Sequence, residues 1–238
     1  MNIDITRQEH EELEKHFPKK EFIFGSKLYG TDGPDSDTDI LRIIQEPGHW
    51  RSFINSYPNI HQLKYTDKEN KIDYIYTTSN QFLRNQRSGD SIINSELIMF
   101  SPAINYTERE RLERVRTYKV LKAFLGFAKR DIRNGKFWHA DRCLSIVDKI
   151  LFRNELPDLV GDIRQSYDLF KDADKLPKQS EERRKKLEYL KEHQKALRNS
   201  LNLKFEKDEI KMYFVPEVGD SILQKILDSN NTKEFRYD

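Results

Sequence analysis

At 238 residues the chain is long enough to bury a sizeable core, and its length predicts one large or two smaller domains, with two expected. Charged residues make up 34% and mean hydropathy is −0.86, yet 14 Phe, 11 Tyr and two Trp supply large apolar pieces, which excludes a fully disordered chain. A net charge of only +2 hides an uneven distribution: residues 1–100 carry 12 Lys/Arg against 16 Asp/Glu, and residues 101–238 carry 30 against 24.

Thr6-Arg7-Gln8-Glu9 has capping-box spacing and predicts a first helix over 6–17, stopped at Pro18. The stretch 22–40 then reads as an apolar strand (Phe22-Ile23-Phe24), a Gly25-Ser26 turn, a polar loop and a second strand running on to Ile44. Asp37 and Asp39 are two apart, so on an extended chain their carboxylates share a face. Carboxylates forced together repel unless a cation sits between them, and hard oxygen ligands suit Mg²⁺, with Mn²⁺ as its substitute. Glycine at 25 lets a backbone approach a phosphate closely, and the Ser26 hydroxyl and nearby amides are donors for phosphate oxygens. The competing reading is a hairpin with an acidic Gly/Pro-rich loop and two surface aspartates.

After a break at Pro47-Gly48, Trp50–Ile54 reads as a short piece able to flap over such a site. His61–Tyr65 and Lys71–Tyr76, separated by a polar turn, predict a hairpin. Asp73 lies inside its apolar second strand, where an unpaired charge is costly unless edge-exposed or metal-bound, and is the natural third carboxylate. Residues 79–99 predict two helices split at Ser88-Gly89, with Glu96 left open between a capping or salt-bridging role and a catalytic one and kept out of the catalytic set. From Thr107 one helix is expected to run to Asn134-Gly135. Residues 107–136 hold ten Lys/Arg against four acids, a surface suited to triphosphate or RNA backbone or, for most of these side chains, simply to solvent. His139 and Arg142, three apart on the next helix, are surface neighbours. Further helices are expected from Asp158 and over 180–203, the latter as an amphipathic bundle helix, followed by a short strand or strap at 211–216 and a small helix at 220–227. The single cysteine, Cys143, excludes an intrachain disulfide framework and fits a reducing compartment, with cytoplasm the default; no apolar run reaches membrane-spanning length.

Gly-Ser, a ten-residue gap and Asp-x-Asp together resemble the signature of the DNA polymerase beta-like nucleotidyltransferase superfamily. More narrowly, Gly25-Ser26-Lys27-Leu28-Tyr29-Gly30 with Pro34-Asp35-Ser36-Asp37-Thr38-Asp39 is similar to the predicted nucleotidyltransferases of the RNA-repair polymerase-beta group, which includes phage-encoded members, and His139-Ala140-x-Arg142 is a second match. Lys27 departs from that group's usual arginine and Thr38 from its usual apolar residue, although neither is a presumed ligand. The resemblance implies an α/β (α+β) fold: a small mixed-sheet nucleotidyltransferase domain at 1–105, then a mainly helical domain at 106–238. It further implies Asp37, Asp39 and Asp73 as the catalytic and metal-binding acids. Gly25, Ser26, Lys27, Tyr29, Lys119, Lys122, His139 and Arg142 are the implied nucleotide-binding residues. The implied activity is transfer of a nucleoside monophosphate from an NTP such as ATP to a hydroxyl acceptor, with RNA or tRNA the leading partner and a protein or small molecule the alternative. A noncatalytic nucleotide- or RNA-binding module is the remaining reading.

Overall fold

The computed structural model describes residues 2–16, 19–44, 62–89 and 91–214. The expected flap at 50–54 and small helix at 220–227 lie outside these residues. Among the described residues five strands, β1 (Asn2–Asp4), β2 (Lys19–Phe24), β3 (Thr38–Ile44), β4 (Gln62–Asp67) and β5 (Ile72–Thr78), form one mixed sheet in the order β1-β4-β5-β3-β2. β1 runs parallel to β4 and β5 parallel to β3, whereas β4/β5 and β2/β3 are antiparallel. The fold is thus α+β, as expected.

β3 is apolar at consecutive positions because both faces of the sheet are covered. On one face Phe22, Phe24, Leu41, Ile43 and Ile75 belong to the main core. On the other, Ile44, Leu63 and Tyr76 pack with Ile5 and Leu13 beneath helix α1 (Arg7–His16). The capping box that predicts α1 is formed, with Glu9 N–H donating to Thr6 Oγ1 and Thr6 N–H to Glu9 Oε2. Buried Arg42 pins this face, pairing with Glu14 and Glu21 and stacking 4.3 Å from the Tyr74 ring centroid.

The main core continues through α3 (Ser79–Ser88), α4 (Ile92–Phe100), α5 (Glu108–Val115), α6 (Tyr118–Asn134), α7 (Phe137–Asp148), α8 (Arg164–Phe170) and α9 (Glu181–Glu206). Fully buried side chains such as Leu97, Phe124 and Leu144 each contribute about 1.5–3 kcal/mol of apolar burial. Gly89 and Gly135 end α3 and α6 in the left-handed conformation, where the sequence places those ends. The single helix expected over 107–134 is instead two: the Thr117 hydroxyl accepts from Val120 N–H and starts α6 afresh. Asp158 likewise caps the turn at Leu159–Ile163 that leads into α8, and Ser180 caps α9. Residues 211–214 form no strand; Lys211 and Met212 carbonyls accept from Tyr118 and Lys119 N–H and so cap α6 from outside. No helix among the described residues is long and apolar enough to cross a membrane.

Candidate active site

Strand register brings the acids together. Asp39 in β3 lies directly beside Asp73 in β5 on one side and Phe24 in β2 on the other, while Thr66 in β4 lies opposite Asp73. Directly opposed residues point to the same face, so Thr66, Asp73, Asp39 and Phe24 form a row on the face that carries the main core. The next row, Lys64, Ile75, Leu41 and Phe22, is already largely core. Asp37 sits one residue before β3 and is exposed, whereas Asp39 and Asp73 are half-buried.

Gly25 is fixed here by two constraints. Its φ of +68° is in the region that favours glycine, and a methyl at this position would lie 2.9 Å from Asp39 Cγ and closer still to Oδ2. The turn and polar loop expected after Gly25 begin with a single helical turn, α2 (Ser26–Tyr29), closed by Gly30 in the left-handed conformation. Arg164 from α8 donates to the Gly30 carbonyl at 3.0 Å, so the helical part of the chain holds the end of this loop.

The acids open onto a cleft of about 1270 Å³. Gly25, Ser26, Tyr29, Asp37, Asp39 and Asp73 line it on the sheet side, and His139 and Arg142 line it from α7. Three expected nucleotide-binding residues do not. Lys27 projects from α2 to a separate, more apolar groove of about 920 Å³, because alternate sides of a single helical turn face different neighbours. Lys119 lies over the Tyr213 ring, and exposed Lys122 over Tyr118, in the first two turns of α6. Among the described residues, the cations that line the cleft besides Arg142 are Arg84, Arg130, Lys136 and Lys171. Arg130 and Lys136 belong to the basic run visible in the sequence, but only the packing of α6 against α7 tells which of its members face inward. Nothing local marks Arg84 or Lys171.

Burial and charge repulsion act together on Asp39. Its pKa is raised from 3.8 to about 6, first by desolvation and then by the Asp73 and Asp37 carboxylates, with Lys64 opposing. Asp73 behaves oppositely: burial works against ionisation, but hydrogen bonds from Lys64 Nζ (2.7 Å to Oδ2) and Thr66 Oγ1 (2.6 Å to Oδ1) outweigh it and lower the pKa. Both Asp73 oxygens are therefore engaged by the protein. Among the described residues no group of three or more His, Cys, Asp or Glu is arranged to hold a metal ion. The all-oxygen pair of Asp37 and Asp39, the latter half-buried beside Asp73, nevertheless has the donor chemistry that suits a hard divalent cation.

Across the cleft, Arg142 is clamped. Its Nη1 lies 2.9 Å from Glu96 Oε1, and its guanidinium stacks 4.4 Å from the Tyr29 ring centroid and 5.1 Å from that of Trp138. Glu96, 3% exposed, thus takes the salt-bridging role read from the sequence, and burial raises its pKa while Arg142 opposes that rise. The His139 imidazole, edge-on to Trp138, has its pKa lowered to about 4 by desolvation and then by Arg142; although the residue is exposed by surface area, the direction leaves it neutral near pH 7. Compared with protein-family models, with curated proteins and with solved structures, the chain finds no match.

Proposed function

We propose that the protein is a metal-dependent nucleotidyltransferase of the polymerase-beta type, transferring a nucleoside monophosphate from an NTP to a hydroxyl acceptor, RNA above all, with release of pyrophosphate. The observation that carries this reading is the in-register pairing of Asp39 with Asp73 beside Gly25 and Ser26, in a cleft whose helical wall carries Arg130, Lys136, His139 and Arg142. Acids at one wall and cations at the other suit a polyphosphate spanning the cleft.

Asp37 and Asp39 are the residues that would hold Mg²⁺, which when bound neutralises phosphate charge and fixes the geometry of in-line displacement. The Gly25-Ser26 turn receives phosphate oxygens on backbone N–H and hydroxyl donors, and no side chain at 25 obstructs their approach. Arg142, already immobilised by Glu96, Tyr29 and Trp138, binds phosphate with little further loss of freedom. The acceptor oxygen forms its bond to the α-phosphorus as the bond to the oxygen bridging to the β-phosphate breaks, and pyrophosphate leaves with that electron pair. Asp73, held ionised by Lys64 and Thr66, orients the acceptor hydroxyl and passes its proton to solvent. Arg84 and Lys171 at the cleft edge extend the basic surface beyond an NTP, which favours a polyanionic acceptor.

The test is transfer of label from each α-³²P NTP, with Mg²⁺, to total RNA and to protein, using Asp37→Asn and Asp39→Asn as controls. Label on RNA that disappears in both variants is the expected result. Label on protein moves the acceptor to the modifying-enzyme class. Binding of NTP with no transfer to RNA, protein or small hydroxyl compounds overturns the enzymatic reading in favour of a binding module.

A further inference from the structure

In the transfer reaction Lys64 does no more than hold Asp73 ionised, yet it is ion-paired directly with one of the three acids. It stands in β4 two residues from Thr66, on the same face, so it reaches Asp73 diagonally across the strand pair. The pair is more than a surface contact: the lysine side chain is 34% exposed and that of Asp73 22%. With Thr66 on the other oxygen, both acceptor atoms of Asp73 have fixed partners. Three carboxylates carry a charge of −3; an ammonium among them leaves −2, which a single divalent cation balances. A second divalent ion drawing on Asp73 has first to displace a half-buried lysine and leave it facing two like charges.

We propose that Lys64 is a built-in cation of the acidic site, holding Asp73 so that the site takes one divalent ion, on Asp37 and Asp39, rather than two. This rests on the reading of these carboxylates as a cation site and sharpens it: Lys64 decides how many ions the site holds, and Asp73 acts as an ion-paired carboxylate instead of a shared ligand. A purely structural cross-strand pair predicts something else, namely that removing the lysine alters stability and leaves ion binding unchanged.

The experiment counts ions without reference to turnover. Mn²⁺ binding to the full chain is titrated by electron paramagnetic resonance for the wild type and for Lys64→Met, Lys64→Gln and Lys64→Arg, each first checked by thermal unfolding for a cooperative fold. The expected result is one Mn²⁺ per chain for wild type and Lys64→Arg. Lys64→Met and Lys64→Gln are expected to take two, with the first bound at least about tenfold tighter because a unit positive charge has left the site. Equal stoichiometry and affinity in wild type and Lys64→Met overturn the proposal, as does a wild type that takes two. If that wild type also transfers nucleotide and Asp39→Asn does not, the enzymatic reading stands while the role of Lys64 falls; no Mn²⁺ bound by any of the proteins overturns both.

Discussion

Replacing Asp39 with Asn is expected to stabilise the metal-free protein while abolishing its activity. The substitution is nearly isosteric, so the packing against Gly25 is kept and only the charge is lost. A carboxyl whose pKa rises from 3.8 to about 6 on folding costs the folded state about 3 kcal/mol at pH 7 if fully shielded from solvent. Asp39 is half-buried, and screening reduces this to roughly 1–2 kcal/mol. Because the folded-state pKa is the higher one, the wild type is least penalised below about pH 4, where the group is protonated folded and unfolded alike, and loses stability as pH rises through about 6. Asn has no such loss. The gain of Asp39→Asn over wild type is therefore expected to be near zero at pH 3.5 and to reach its full size by pH 7, a rise in melting temperature of roughly 4 °C for a chain of this length. Urea denaturation across pH 3.5–8 in EDTA measures it. A variant no more stable than wild type at pH 7, or one whose gain is as large at pH 4, refutes the account of a repelled carboxylate. Added Mg²⁺ should erase the difference by stabilising the wild type alone.

Gly25→Ala should lower nucleotide transfer by about a hundredfold or more and destabilise the fold by about 1–3 kcal/mol, since the methyl meets the Asp39 carboxylate and the backbone conformation disfavours it; single-turnover kinetics and urea denaturation read the two effects. Breaking the buried pair by Glu96→Ala should cost about 3–5 kcal/mol in denaturant unfolding, whereas the double variant Glu96→Ala/Arg142→Met should recover part of that loss; a cost below 1 kcal/mol for the single variant contradicts a clamped guanidinium. Lys27→Ala and Lys122→Ala should leave NTP affinity within about twofold of wild type, while Arg130→Ala and Lys136→Ala each weaken it and flatten its salt dependence, as equilibrium dialysis at two ionic strengths would reveal.

Much of the architecture was legible because it rests on local chemistry. The capping box at Thr6 and Glu9, the glycines at 89 and 135, and the alternation in β4 and β5 are each decided within a few residues. The proximity of Asp39 to Asp73 was legible only as far as the motif suggested it, since the pairing depends on a parallel register between positions 34 residues apart in the chain. Three features escaped for the same reason. The break at Thr117 looks like ordinary helix by periodicity, and shows only once the strap at 211–212 is seen to cap the new N-terminus. β1 is three residues long and exists because β4 offers it an edge. Lys64 reads as a plain outward-facing strand lysine until the hairpin is built and its diagonal reach to Asp73 becomes visible.

Rigidity at the site follows from where the core ends. On the face that carries the acids, one row of the sheet, with Ile75, Leu41 and Phe22, is packed core, and the row immediately beyond it holds Asp73, Asp39 and Phe24. The carboxylates are thus one strand step from close-packed side chains, and a displacement at Leu41 or Ile75 has to be transmitted through a dense interior to be felt there. The helical wall is fixed differently: Arg142 owes its position to charge pairing and ring stacking with Glu96, Tyr29 and Trp138, interactions that link α2, α4 and α7. Tyr29 belongs to the same helical turn that begins at Ser26, so the residue that anchors Arg142 is continuous with the loop proposed to receive phosphate. Phosphate engagement at Gly25 and Ser26 therefore couples mechanically to the guanidinium opposite, and a substitution of Tyr29 that preserves the fold should impair phosphate binding at both walls of the cleft together.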